Sequence, residues 1–180
     1  FLHFGLLRRR LGNFVLVRTR GDQRPPKANL ANRWLHTRAA DAVVATNSRM
    51  QRHFLEAFRL PAERVRLIPG GVDAARFAPD PAGRERVRAE FGYGPGHFVL
   101  GLLGRFDAVK GQRELIRACS RLVHGAGLSH LRLLLIGFPT ATSQAEVEEW
   151  IAAEDMQNHA AITGERPDVA ACVSALDLGV

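Results

Sequence analysis

The stretch from His97 to Val123, HFVLGLLGRFDAVKGQRELIRACSRLV, decides the fold. Its apolar run Phe98-Val99-Leu100-Gly101-Leu102-Leu103 is too short for a typical helix and reads as a strand buried on both faces. Leu115, Ile116, Cys119, Leu122 and Val123 then recur at the spacing of one face of an amphipathic helix. Between the two lies Gly104-Arg105-Phe106-Asp107-Ala108-Val109-Lys110-Gly111. Strand, glycine-punctuated loop and helix, in that order, set the loop at the carboxyl edge of a parallel sheet, where open α/β sheets bind their ligands. Arg105 and Lys110 bring two cations to a helix N-terminus whose unpaired N–H groups also favour an anion. The loop reads as a clamp for a phosphate or diphosphate.

A basic pair in such a loop is by default merely solvated. Composition argues for more: of 25 Lys and Arg, only Lys27 and Lys110 are lysine. A lysine kept at this place in so arginine-rich a chain suits a site that wants a compact ammonium rather than a planar fork.

Outward from this loop, strands and helices alternate. Toward the C-terminus, Leu131 to Ile136 is a buried strand ending at Gly137-Phe138-Pro139-Thr140. Ser143-Gln144-Ala145-Glu146 is a capping box opening a helix to about Asp155. Ala160 to Thr163 is a short strand with the loop Gly164-Glu165-Arg166-Pro167-Asp168. Pro167 suits the first turn of a last helix carrying Val169, Cys172, Val173 and Leu176, and Asp177 to Val180 starts another strand. Toward the N-terminus, Gly92 to Gly96 is a loop and Pro81 to Phe91 a charged surface helix. Phe1 to Arg10 is helical, with Leu2, Leu6 and Leu7 apolar and Arg8, Arg9 and Arg10 on the surface. Gly12-Asn13 turns into a buried strand, Phe14 to Val17, whose carboxyl end delivers Arg18-Thr19-Arg20-Gly21-Asp22 to a ligand-facing edge. Gln23 to Lys27 is an exposed loop, and Ala28 to Ala40 a helix with Leu30, Trp34 and Leu35 inward. Ala42 to Thr46 is a short strand, and Ser48-Arg49-Met50-Gln51 a capping box for a helix burying Met50, Phe54, Leu55 and Phe58. Val65 to Ile68 is the next strand, and Pro69-Gly70-Gly71-Val72-Asp73 the strongest break in the chain. The fold class is α/β, with doubly wound parallel sheets in two pieces, 1–70 and 71–180.

Charge divides at the same break. Residues 1–69 hold 14 Arg and Lys against Asp22, Asp41, Glu56 and Glu63, a net of +10, whereas the remainder is net −3. A basic half implies an anionic surface as partner. Its aromatics (Phe14, Trp34, Phe54, Phe58) fall at core spacings rather than interleaving a basic stripe, which favours membrane headgroups over nucleic acid. No apolar run approaches the ~18 residues of a transmembrane helix. Cys119 and Cys172, far apart and without metal-ligand spacing, read as reduced core thiols in the cytoplasm.

Several chemistries lack their motif. There is no Gly-x-Gly-x-x-Gly after a strand, no Gly-Lys-Ser/Thr loop, no Gly-x-Ser-x-Gly elbow and no paired histidines, so no dinucleotide cofactor and no bound metal are expected.

Gly104-Arg105, four residues, then Lys110-Gly111 resembles the donor-phosphate loop of the family 4 (group 1) glycosyltransferases of the GT-B fold. Ile68-Pro69-Gly70-Gly71-Val72-Asp73 resembles that family's crossover between domains, with Gly70 where the family has Asn, and Phe77-Ala78-Pro79 also fits. The resemblance implies two Rossmann-like domains, 1–70 on the acceptor side and 71–180 on the donor side. It implies a retaining, metal-independent transfer from a UDP-, GDP- or ADP-sugar to a glycan or lipid-linked acceptor in cell-envelope synthesis, with docking on the inner membrane face. Arg105 and Lys110 would stabilise the leaving diphosphate. Gly71, Gly104, Gly111, Gly137, Phe138 and Arg166 would line the donor site, and Thr19, Arg20 and Asp22 the acceptor side, where many members place a histidine. The family's glycine-rich loop would precede Phe1 and its Glu-x7-Glu motif would follow Val180, so the chain reads as the middle of a longer enzyme, inactive alone. The alternatives are a non-catalytic phosphate- or nucleic-acid-binding module and a GT-B sugar-nucleotide epimerase.

Overall fold

The structure, a computed structural model, describes every residue except Phe1, Asn13 and Gln23, and the side chains of Leu2, Arg8 and Arg9 also lie outside the described part. The expectations for Asn13 in its turn, for Gln23 in its loop and for those three side chains therefore fall outside the described residues. The chain forms two compact units, Phe1–Val72 and Asp73–Val180. Each is α/β with a wholly parallel sheet.

In the first unit, helix α1 (Leu2–Leu11) precedes a three-stranded sheet in the order β1 (Val17–Arg20), β2 (Ala42–Ala45), β3 (Val65–Leu67). Its core is Val43, Ala45 and Val65 against Met50, Phe54 and Phe58 of helix α3 (Ser48–Glu56) and the turn after it. The expected buried strand over Phe14 to Val17 is corrected: the ladder runs three residues later, and Val15 is 75% exposed. The cause is the pairing of Leu16 with Asp41. Asp41 N donates to Leu16 O at 2.8 Å, and Leu16 N donates to the Asp41 carboxylate at 2.8 Å, which starts the ladder at Val17–Ala42. Arg18, Thr19 and Arg20 thus lie in the strand itself.

Four further expectations in this unit shift. Helix α2 (Leu30–Trp34) begins after Asn29, which accepts from Asn32 N, and its first residue Leu30 points outward at 88% exposure. The helix continues as a wider π-type turn over Leu35–Ala39, which swings His36, Ala39 and Ala40 inward instead. Pro26 is buried rather than exposed, its carbonyl bonded to His53 Nε2 at 2.8 Å. The cap of α3 is Asn47, whose side chain accepts from Met50 N at 2.8 Å, so Ser48 is already helical.

The second unit has a four-stranded sheet in the order β6 (Ala160–Ile162), β5 (Leu131–Ile136), β4 (Phe98–Leu103), β7 (Leu178–Gly179). β4, paired on both sides, buries Val99 to Leu102, whereas Phe98 and Leu103, read as buried too, are exposed at the two ends of the strand. A Cβ at Gly101 would collide with Leu176, so glycine lets the turn that follows the last helix pack on the strand. One face is covered by α5 (Gln112–Ser120) and α6 (Gln144–Ala153), the other by α4 (Pro81–Glu90) and α7 (Val169–Ser174). The Ser143–Glu146 capping box forms as read, and the helix stops before Asp155, whose φ of 52° is left-handed.

α4 is more than a surface helix: Val87 and Arg88 are buried, and Gly83 admits Ala171 of α7 where a Cβ would not fit. Arg84 and Arg88 donate to the carbonyls of Ser174, Ala175 and Leu176 and to Asp177, fixing the exit of α7. Pro167 stands outside α7, one residue before its cap Asp168, because Arg166 and Asp168 are tied to each other. Val173 is half-exposed because α7 turns only Ala171 and Cys172 into the core. Leu122 is half-exposed too, because α5 widens into a π-type turn over Arg121–Gly125 and rotates it off the apolar face.

Candidate functional site

The carboxyl ends of β4, β5 and β6 each feed a loop, and the three loops meet. Phe106 N donates to Phe138 O at 2.8 Å and Gly104 N to Ile136 O at 2.9 Å, laying the first loop along the second. Gly137 makes this possible: a Cβ there would collide with the carbonyl oxygen of Gly104. Phe106 is buried beneath, its carbonyl accepting from Thr140 Oγ1 at 2.7 Å. Buried Gln112, the first residue of α5, donates from Nε2 to Arg105 O at 2.8 Å. The loop backbone is thus pinned from both sides before any ligand arrives.

Above this floor lies a cavity of about 170 Å³ lined by Gly104, Arg105, Gly137, Phe138, Gly164, Glu165 and Arg166, with Leu103, Ile136 and Val169 at its apolar base. Five of the residues read from sequence therefore share one wall. Phe138 offers an aromatic side chain that is 43% exposed. Lys110 approaches from the next turn, its stem running past Gly104, where a Cβ would meet Lys110 Cδ at 3.5 Å. Its ammonium has no ion pair or hydrogen bond among the described residues. Gly111 is the N-cap of α5, at a φ of 76° that favours glycine, and no side chain caps the N–H groups that follow.

Asp107 was not singled out from sequence, yet it organises the loop after β4. Its Oδ1 accepts from Val109 N at 3.1 Å, closing the 3-10 turn Ala108–Lys110, and its Oδ2 accepts from Arg105 Nε and Nη2 at 3.2 and 3.0 Å. The Val109 N–H first, then the Arg105 hydrogen bonds, then the charges of Arg105 and Lys110, hold its carboxyl below the usual range. An Asp two residues before a potential turn N–H was the signal available in sequence.

Arg166 borders the cavity with every guanidinium nitrogen engaged. Nη1 and Nη2 donate to Glu90 at 2.6 and 3.0 Å, and Nε and Nη2 to Asp168 at 2.8 and 3.0 Å. Glu90 first and then Asp168 hold Arg166 protonated well above its ordinary range, while Arg166 draws Asp168 down to about 2. In the first unit, Arg20 pairs with Asp22 at 2.6 Å. Gly71 also belongs to that unit, and a Cβ there would meet nothing within 4 Å. Cys119 and Cys172 are buried free thiols, raised by burial, Cys119 to about 11. Among the described residues no group of three His, Cys, Asp or Glu gathers to hold a metal, and no helix is long and apolar enough to cross a membrane.

With this geometry in view, residues 3–76 match the family model described as Glycosyltransferase Family 4. The chain is 30% identical over 103 residues to a D-inositol 3-phosphate glycosyltransferase of Nocardia farcinica, covering 57% of this chain and 22% of the relative. It is 40% identical over 83 residues to a GDP-mannose-dependent alpha-(1-6)-phosphatidylinositol monomannoside mannosyltransferase of Mycolicibacterium smegmatis, covering 46% and 21%. The chain thus spans about a fifth of the length of these two curated relatives. Among solved structures, Anabaena Alr3699/HepE in complex with UDP and glucose superposes with a TM-score of 0.77 at 23% identity, over 97% of this chain and 48% of that one.

Proposed function

This chain belongs to the family 4 (group 1) glycosyltransferases of the GT-B fold, and on that footing we propose that its protein moves a sugar from a nucleoside diphosphate donor to a glycan or lipid-linked acceptor. One observation carries the reading: Arg105 and Gly104 line the cavity while Lys110, running past the same glycine just before α5, keeps its ammonium unpaired among the described residues. As the bond from the sugar's anomeric carbon to the donor's phosphate oxygen breaks, the leaving diphosphate gains negative charge. A guanidinium, an ammonium and the free N–H groups of α5 meet that charge without reorganising, and losing one such group costs on the order of 10²–10³ in rate.

The donor residues proposed with them are Gly104, Gly111, Gly137, Phe138 and Arg166, with Gly71 at the crossover. Phe138, half-exposed on the cavity wall, would stack on the base, and Arg166 braces the third loop through Glu90 and Asp168. The reaction is proposed to be metal-independent, because fixed side-chain cations do the charge neutralisation, and retaining, as the family resemblance implies. Support for the donor class comes from the UDP-bound neighbour and the GDP-mannose-dependent relative. Support for a lipid-linked acceptor of the cell envelope, with Thr19, Arg20 and Asp22 on its side, comes from the relative named for phosphatidylinositol monomannoside. The +10 of residues 1–69 supports docking on an anionic membrane surface from the cytoplasm.

A thermal-shift panel of UDP, GDP and ADP on the full-length protein tests the donor. One of the three is expected to raise the melting temperature, binding at ~100 times Kd stabilising by about 2.7 kcal/mol. No shift with any of them would overturn the proposal.

A further inference from the structure

The cavity above the three loops has two chemically unlike ends. The strand order β6, β5, β4 sets Arg105 on one outer loop, Phe138 on the middle loop and Glu165 on the other outer loop. Neighbouring strands stand about 4.8 Å apart, so the loops of Arg105 and Glu165 leave the sheet about 10 Å from each other. That is the scale separating diphosphate from base in an extended nucleotide.

Three charged side chains line the cavity. Arg105 is tied to Asp107, and Arg166 to Glu90 and Asp168. Glu165 is exposed and has no ion pair or hydrogen bond among the described residues. Its backbone is nevertheless fixed on both sides. Gly164 before it takes a left-handed φ of 70°, bridges to Gly137 of the middle loop, and has its carbonyl held by Thr163 Oγ1 at 2.8 Å. Arg166 after it is braced by its two acidic partners. Only the side-chain torsions of Glu165 remain to be set when a ligand arrives.

An ionised carboxylate accepts hydrogen bonds through two oxygens and donates none. It repels a diphosphate, which belongs with Arg105 and Lys110, so Glu165 is left to meet the opposite end of the ligand. Phe138 between them offers a ring, 43% exposed, on which a base can stack. The edge of that base must then present two adjacent donors to answer both oxygens. Guanine does so, with its N1–H beside its exocyclic N2 amine. Uracil sets its single N3–H between two carbonyl oxygens, and adenine sets its N6 amine beside the N1 lone pair. Each of these brings an acceptor against the carboxylate and leaves it incompletely satisfied.

We propose that Glu165 selects guanine, so that the donor is a GDP-sugar; the inference rests on the reading of this cavity as a nucleoside diphosphate site. The test is calorimetric titration of the full-length protein and its Glu165→Gln variant with GDP, UDP, ADP and inosine diphosphate, which is GDP without the N2 amine. The wild type is expected to bind GDP at least tenfold more tightly than the other three. Glu165→Gln should weaken GDP at least tenfold, to near the level of inosine diphosphate. UDP and ADP should bind the variant as before or more tightly, and its melting temperature without ligand should hold, so that a loss confined to GDP is not misfolding. UDP, ADP or inosine diphosphate as tight as GDP on the wild type would overturn guanine selection and leave the donor reading standing. So would an equal weakening of every nucleotide in the variant, which would put the carboxylate on the ribose hydroxyls. No binding of any of the four would bring down the donor reading itself, and this inference with it.

Discussion

Asp107 is the residue that ties Arg105 to the turn before α5. Its carboxylate is charged at neutral pH, since the Val109 N–H and the Arg105 hydrogen bonds both favour the ionised form. It therefore holds Arg105 at the cavity wall, and under the proposed function it would compete with a diphosphate for the same guanidinium. Asp107→Asn keeps an oxygen for Val109 N and removes the counter-charge. Nucleoside diphosphate affinity should rise by about twofold to fivefold, the scale of one exposed ion pair, measured as Kd by calorimetry. An unchanged or weaker affinity would show that Asp107 does not compete. Lys110 stood out in the sequence because lysine is so scarce in this chain. Asp107 was not, because an aspartate in a loop is ordinary until its two oxygens are seen at work.

At the scale of elements, β4, its loop and α5 could be read directly, since a buried central strand and an amphipathic helix each write a local period. What escaped depended on partners distant in sequence. β1 was placed too early because its register is set by Asp41, 25 residues from Leu16. Arg166 gave no hint that Glu90, 76 residues away, would engage it. The cap of α3 was misplaced by a single residue, which predicts a contrast: Asn47→Ala should cost about 1 kcal/mol in denaturant unfolding and Ser48→Ala far less. If Ser48→Ala is the more costly, the cap is wrongly assigned. The loop junction gives a second contrast. Gly137→Ala must displace the Gly104 carbonyl and should lose about 1–3 kcal/mol of stability, the scale of overpacking, together with donor binding. Gly104→Ala meets only the Lys110 stem at ordinary contact distance and should fold normally. Equal stability of the two proteins would contradict the close approach of the loops.

At the scale of the whole molecule, both units repeat one design: a parallel sheet whose carboxyl edge gathers arginine. The break at Gly70-Gly71 was visible as a change in both composition and charge, and the chain divides into compact units at Val72. In the second unit the cations stand on pinned loops around a cavity, which suits a donor that must be held still. In the first they stand within the strand itself. The central claim, that Arg105 and Lys110 grip one diphosphate, is tested most directly by calorimetry on the full-length protein. The preferred nucleoside diphosphate from the thermal panel is titrated into the wild type, Arg105→Ala, Lys110→Ala and the double variant. The account predicts that each single change weakens binding by at least tenfold, and that the double change abolishes it while the melting temperature of the free protein holds. Binding undiminished in either single variant would contradict it.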